Sequence, residues 1–107
     1  MKIVYNNIIP LRGFKAINLF GVLFVRKGAS MTEVDINHES IHTAQIKELW
    51  YVFFYLWYVT EWVRNLLKYQ DAHTAYREIK FEREAYINER IPEYLEHREK
   101  FSFLKYK

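Results

Sequence analysis

The chain has 107 residues, half of them hydrophobic and 19% aromatic, with nine Tyr, eight Phe, three Trp and no Cys. That length sets a single domain, and the missing thiols exclude a disulfide framework, a thiolate zinc finger and a cysteine nucleophile. The formal net charge of +3 is scattered, and acids outnumber bases over residues 71–100, so no basic stripe for nucleic acid is present.

Residues 1–29 read as strand-rich. Residues 2–9 are rich in β-branched residues and run into Pro10, with Gly13 as further punctuation. Residues 16–25 are almost continuously apolar and predict a better strand; Gly21 inside it signals a bulge or a close backbone approach, and Gly28 ends it. The opening residues lack an apolar stretch followed by a small-residue cleavage site. No signal peptide is therefore expected, and the expected compartment is the cytoplasm.

Ser30 followed by Glu33 has capping-box spacing, with Thr32, Asp35 and Asn37 as competing N-caps. A helix is expected to begin between residues 31 and 38. No Gly or Pro stops it before about Lys68, which predicts one long helix. Residues 49–59 of that helix are all apolar or aromatic, a pattern that belongs in a core, a protein interface or lipid. The run is short of the ~20 residues that span a bilayer. Its Tyr and Trp rings favour interfaces. Burial in a core, a homo-oligomer contact and peripheral association with a membrane surface all stay open.

A polar break follows at residues 70–74. Residues 75–91 return to a helical pattern, and Pro92 starts or kinks a last helix through Lys100. The expected fold is α+β and mostly helical, with short N-terminal strands packed on a long helix and one or two C-terminal helices. Residues 1–29, 31–68 and 75–100 form its three parts within one domain over 1–107.

The chemistry is carried by His38-Glu39-Ser40-Ile41-His42, an H-E-x-x-H motif on the predicted long helix. Histidines four apart share one helical face, so both imidazoles reach one metal ion. Glu39 sits about 100° round and is placed to take a proton from water rather than to ligate. Zinc needs a third protein ligand. A third His in the H-E-x-x-H-x-x-G-x-x-H pattern is excluded, because Gln45 stands at the Gly position and Glu48 at the His position. A di-iron site is excluded too, because Glu39–His42 is the lone E-x-x-H pair.

Phe81-Glu82-Arg83-Glu84-Ala85-Tyr86 resembles the E-x-x-A-D segment of gluzincin metallopeptidases. The form ending on Gln45 is also similar to that of small bacterial peptidases of this kind. The resemblance covers residues 37–45 and 81–88. It implies Zn²⁺ held by His38, His42 and Glu82, with Glu84, Glu78 and His73 as rival ligands. It implies Ala85 as the residue that lets two helices approach. Tyr86 replaces the Asp that hydrogen-bonds a ligand His, leaving Asn88, Glu84 or Gln45 for that role.

The implied activity is hydrolysis of a peptide or protein substrate, with Glu39 as general base and Tyr76, Tyr86 or His73 as oxyanion helper. A strand over residues 18–26 is expected to offer an edge for an extended peptide. The alternative is a non-catalytic, metal-stabilised interaction module that binds a partner or membrane surface through residues 49–63.

Overall fold

The first three strands build a small sheet at the N-terminal end of the chain. The structure is a computed structural model and describes residues 2–8 and 15–106, so Ile9, Pro10 and Gly13 lie outside the described residues. Strands β1 (Lys2–Asn6), β2 (Ala16–Leu19) and β3 (Val22–Arg26) are ordered β1-β3-β2. β1 runs parallel to β3 with Lys2 opposite Val22, and β2 runs antiparallel to it with Ala16 opposite Val25.

The single strand expected over residues 16–25 is therefore a hairpin. Phe20 (φ 54°) and Gly21 (φ 88°) are both in the positive region, as a type I′ turn requires. Phe is a poor residue for such a position, and the turn is held from outside. The Phe20 N–H donates to Tyr55 Oη at 2.7 Å, and the Gly21 N–H donates to Asn18 Oδ1 at 3.1 Å. Leu23 and Val25 of the central strand are fully buried, which explains the apolar run that masked the turn.

Helix α1 (Glu33–Glu48) begins at Thr32. Its capping box pairs Thr32 with Asp35, not Ser30 with Glu33: Asp35 N donates to Thr32 Oγ1 and Thr32 N to Asp35 Oδ2, each at 3.1 Å. Lys15 Nζ adds an ion pair to the same carboxylate at 2.7 Å.

The long helix expected through Lys68 breaks in two. α1 ends in a Schellman arrangement, in which Tyr51 N donates to Ile46 O at 2.8 Å and Trp50 N to Lys47 O at 3.2 Å. Trp50 (φ 54°) takes the position that glycine usually fills, and Tyr51 (φ 64°) follows it into the positive region. Left-handed backbone at a non-glycine residue costs roughly 1–2 kcal/mol. The turn lets α2 (Val52–Tyr69) fold back so that Phe54, Tyr55, Trp57 and Tyr58 enter the core. Packing overrides the missing stop signal.

α3 (Ala72–Arg77) starts inside the expected polar break, where Asp71 Oδ2 accepts from Thr74 N at 3.0 Å. The helix expected over residues 75–91 is split by Ile79, which is extended (φ −65°, ψ 131°) and fully buried. α4 (Lys80–Asn88) follows. The last expected helix is a single turn, α5 (Tyr94–His97), before a 3-10 turn at Ser102–Lys105. The fold is α+β with helices dominant.

Phe81 of α4 sits at the centre of the core, with ring centroids of Phe54 at 4.7 Å, Phe103 at 4.8 Å and Trp57 at 5.6 Å. Tilted and edge-on rings at these distances pack well and hold α2, α4 and the C-terminal turn together. Among the described residues, no helix is long and apolar enough to cross a membrane.

Candidate metal centre

α1 and α4 pack side by side, and Ala85 of α4 is fully buried. His38 and His42 lie one turn apart on the buried face of α1, and Glu82 lies on the buried face of α4. Three ligand atoms converge there. His42 Nε2 is 3.0 Å from Glu82 Oε1, His38 Nε2 is 3.2 Å from the same oxygen, and the two Nε2 atoms are 3.1 Å apart. Zn–N and Zn–O bonds near 2.0–2.1 Å in a tetrahedron set ligand atoms roughly 3.3 Å apart. The donor set therefore fits a small divalent ion, and among the described residues this is the one group of three or more His, Cys, Asp or Glu so placed.

The far side of each ring is also held. His38 Nδ1 is 2.8 Å from Glu89 Oε1, and His42 Nδ1 is 2.8 Å from Gln45 Oε1. The Gln45 amide has one workable orientation, because its Nε2 donates to Phe81 O at 3.0 Å and to Glu84 Oε1 at 2.9 Å. Its oxygen must face His42. Each imidazole thus carries its proton on Nδ1 and turns Nε2 toward Glu82. Glu82 Oε2 accepts from Tyr58 Oη at 2.7 Å, which leaves Oε1 as the ligating oxygen.

Electrostatics agree with that assignment. Burial alone would lower the pKa of His42, but the Glu82 charge and hydrogen bond outweigh it and push it up to about 9. Burial would raise the Glu82 carboxyl, yet His42 and His38 hold it well below the usual range. Glu39 points to a different task. Burial raises its carboxyl above the usual value, with His42 and His38 opposing, which suits a proton acceptor better than a fixed anion.

Glu39, His42, Glu82 and Tyr76 share an open cavity of about 610 Å³ with the apolar residues Ile17, Leu19, Ile46, Phe54 and Tyr55. β2 forms one wall, tied to the motif because Asn18 Nδ2 donates to Glu39 O at 3.1 Å and to Thr43 Oγ1 at 2.9 Å. The expected peptide edge over residues 18–26 needs correction: β3 is central and paired on both sides, and the edge beside the site is β2.

The rivals are elsewhere. Glu84 is fully buried on another side of α4, where Arg98 and Tyr94 donate to it. Glu78 pairs with Arg83 at 3.0 Å, and His73 is exposed. Of the three oxyanion candidates, Tyr76 lines the cavity, and Tyr86 Oη lies 2.8 Å from Tyr76 Oη. Tyr86 does not replace the Asp it stands for. Its ring lies 4.5 Å from that of His38, and Glu89 holds the His38 Nδ1 instead.

Tyr58 and Glu89 are the site residues that spacing alone did not reveal. Glu89 follows Glu82 by two helical turns and so shares its face, a signal that was available. Tyr58 reaches the site by the fold-back of α2, for which no local pattern exists. No family model matches this chain, and neither a curated protein nor a solved structure is similar to it.

Proposed function

We propose that this protein is a zinc-dependent metallopeptidase of gluzincin type. The observation that carries the reading is the convergence of His38 Nε2, His42 Nε2 and Glu82 Oε1 within 3.0–3.2 Å of one another, each backed by a hydrogen bond on its far side. Zinc at such a site acts as a Lewis acid and lowers the pKa of water to about 7.

The chain's own residues supply the rest. Glu39, with its carboxyl raised by burial, takes the proton of the attacking water and returns it to the leaving amine. Tyr76, in the same cavity, is the donor nearest in role to an oxyanion helper. A peptide laid along the β2 edge would run over Glu39 and His42, with its side chains against Ile17, Leu19 and Tyr55. With no cysteine to oxidise, we propose a reducing, cytoplasmic setting.

The test is Glu39→Gln. It should bind Zn²⁺ as the parent does and lose cleavage of an unstructured protein such as casein by a factor of about 10³ or more. Equal cleavage by both forms would remove Glu39 from the reaction. Zn²⁺ binding without cleavage by either form would favour the second reading, a metal-stabilised interaction module, for which the exposed apolar face of α2 is the specific support.

A further inference from the structure

The inner face of α2 is absorbed by the core and by Glu82, but its outer face is not. Val52, Leu56, Val59, Val63 and Leu67 recur every three or four residues with Phe53 beside the first of them, and all six are 45–76% exposed. At 1.5 Å per residue they make a stripe about 22 Å long on one side of the helix. An apolar surface of this continuity on a small domain marks a binding face rather than scattered exposure.

Charge identifies the occupant. The exposed charged residues of α2 are Arg64 and Lys68, and both are cations. At 100° per residue they lie together on one flank of the stripe. The acid of this helix, Glu61, is instead turned to Lys80, which it accepts from at 2.8 Å (N) and 3.1 Å (Nζ). Trp62 lies on the opposite flank, and Trp50, 80% exposed, stands just before the helix. An apolar stripe edged by Arg and Lys on one side and ringed by Trp matches a helix lying in a membrane interface.

We infer that the outer face of α2 docks on an anionic lipid surface, with Leu56 and Val63 among the acyl chains and Arg64 and Lys68 at the phosphates. A second copy seated stripe on stripe would bring the same apolar residues, but the acids that share a groove with Arg64 and Lys68, Glu61 and Glu78, are already paired with Lys80 and Arg83. A phosphate-bearing surface meets both the stripe and its cations. The face also adjoins the cavity: Tyr55, which lines it, is one turn from Val52 and Val59, and Phe20 at the hairpin tip rests on Tyr55 at 5.0 Å. Docking therefore sets the candidate site beside the membrane, and the inference holds whether or not the site is catalytic.

The experiment is co-sedimentation of the full chain with vesicles of phosphatidylcholine, with and without phosphatidylglycerol. Binding is expected to the phosphatidylglycerol vesicles and to be about tenfold or more weaker without the anionic lipid. Leu56→Glu with Val63→Glu should abolish binding with an unchanged circular dichroism spectrum, because both residues are exposed. Arg64→Glu with Lys68→Glu should erase the preference for anionic vesicles. No binding, or binding indifferent to both double variants, overturns the inference. So does a dimer in analytical ultracentrifugation that Leu56→Glu with Val63→Glu dissolves in a chain that ignores vesicles, which would assign the face to a second copy.

Discussion

Gln45 presents its Oε1 to His42 Nδ1 at 2.8 Å and cannot turn round, because its Nε2 is engaged by Phe81 O and Glu84 Oε1. A residue three positions beyond the second histidine thereby fixes which nitrogen of that histidine is free to ligate. Gln45→Leu should weaken Zn²⁺ binding about 10- to 100-fold, and Gln45→Glu should not restore it, because its second oxygen would face Phe81 O and the Glu84 carboxylate where the amide N–H now donates. Competition against a zinc chelator measures both. Equal affinity in the parent and in Gln45→Leu would separate Gln45 from the metal centre.

Behind Gln45 stands a buried ion pair. Glu84 is fully buried and accepts from Gln45, Tyr94 and Arg98, and Arg98 also donates to Glu48 at 2.9 Å. Removing Arg98 strands the Glu84 charge in the core, which costs about 3–5 kcal/mol, whereas removing the Glu84 charge leaves Arg98 its partner Glu48. Arg98→Met should lower stability in urea by that order and Glu84→Gln by less. The double variant should lose less than the sum of the two. Additive losses would show that the pair is not coupled.

Tyr58 holds the second oxygen of Glu82 at 2.7 Å. Burial and the Glu82 charge push its phenol above the ordinary range, which suits a donor to the carboxylate at neutral pH. Tyr58→Phe should cost about 1 kcal/mol of stability and weaken zinc binding about tenfold, the size expected for an outer partner of a ligand. Unchanged affinity would mean that the packing of α4 alone orients Glu82.

Asp35 gives a pH dependence away from the candidate metal centre. The Lys15 and Thr32 hydrogen bonds hold its carboxyl below the ordinary value of 3.8. A depressed folded-state value means stability that is present above that value and is lost as the pH falls through the folded one. The group is largely solvated, so the effect is under ~1 kcal/mol. Asp35→Asn should lower Tm slightly at neutral pH, and the gap to the parent should narrow as the pH falls below 3.8. A gap that persists in acid would point to the amide's geometry rather than to charge.

How far the chain could be read follows from the range of each signal. The pairing of His38 and His42 on one face depends on helical spacing and was legible, whereas Glu82 and Ala85 were picked out only through the resemblance to the gluzincin E-x-x-A-D segment. The hairpin was not, because the mostly apolar residues on both sides of Phe20-Gly21 read as one strand. The break at Trp50 was hidden for a related reason: a helix end that usually needs glycine is forced on two aromatic residues by the packing of Phe54, Trp57 and Tyr58 against Phe81. Local propensity does not contain that long-range term. Tyr58 became a site residue only through this break.

The central claim is that His38, His42 and Glu82 form one metal centre. Calorimetric titration of the chelator-treated chain with Zn²⁺ tests it most directly. The account predicts one equivalent bound by the parent, and at least about 100-fold weaker binding in Glu82→Ala with the helical circular dichroism retained. A parent that binds no zinc, or a Glu82→Ala chain that binds it as tightly as the parent, would contradict the account.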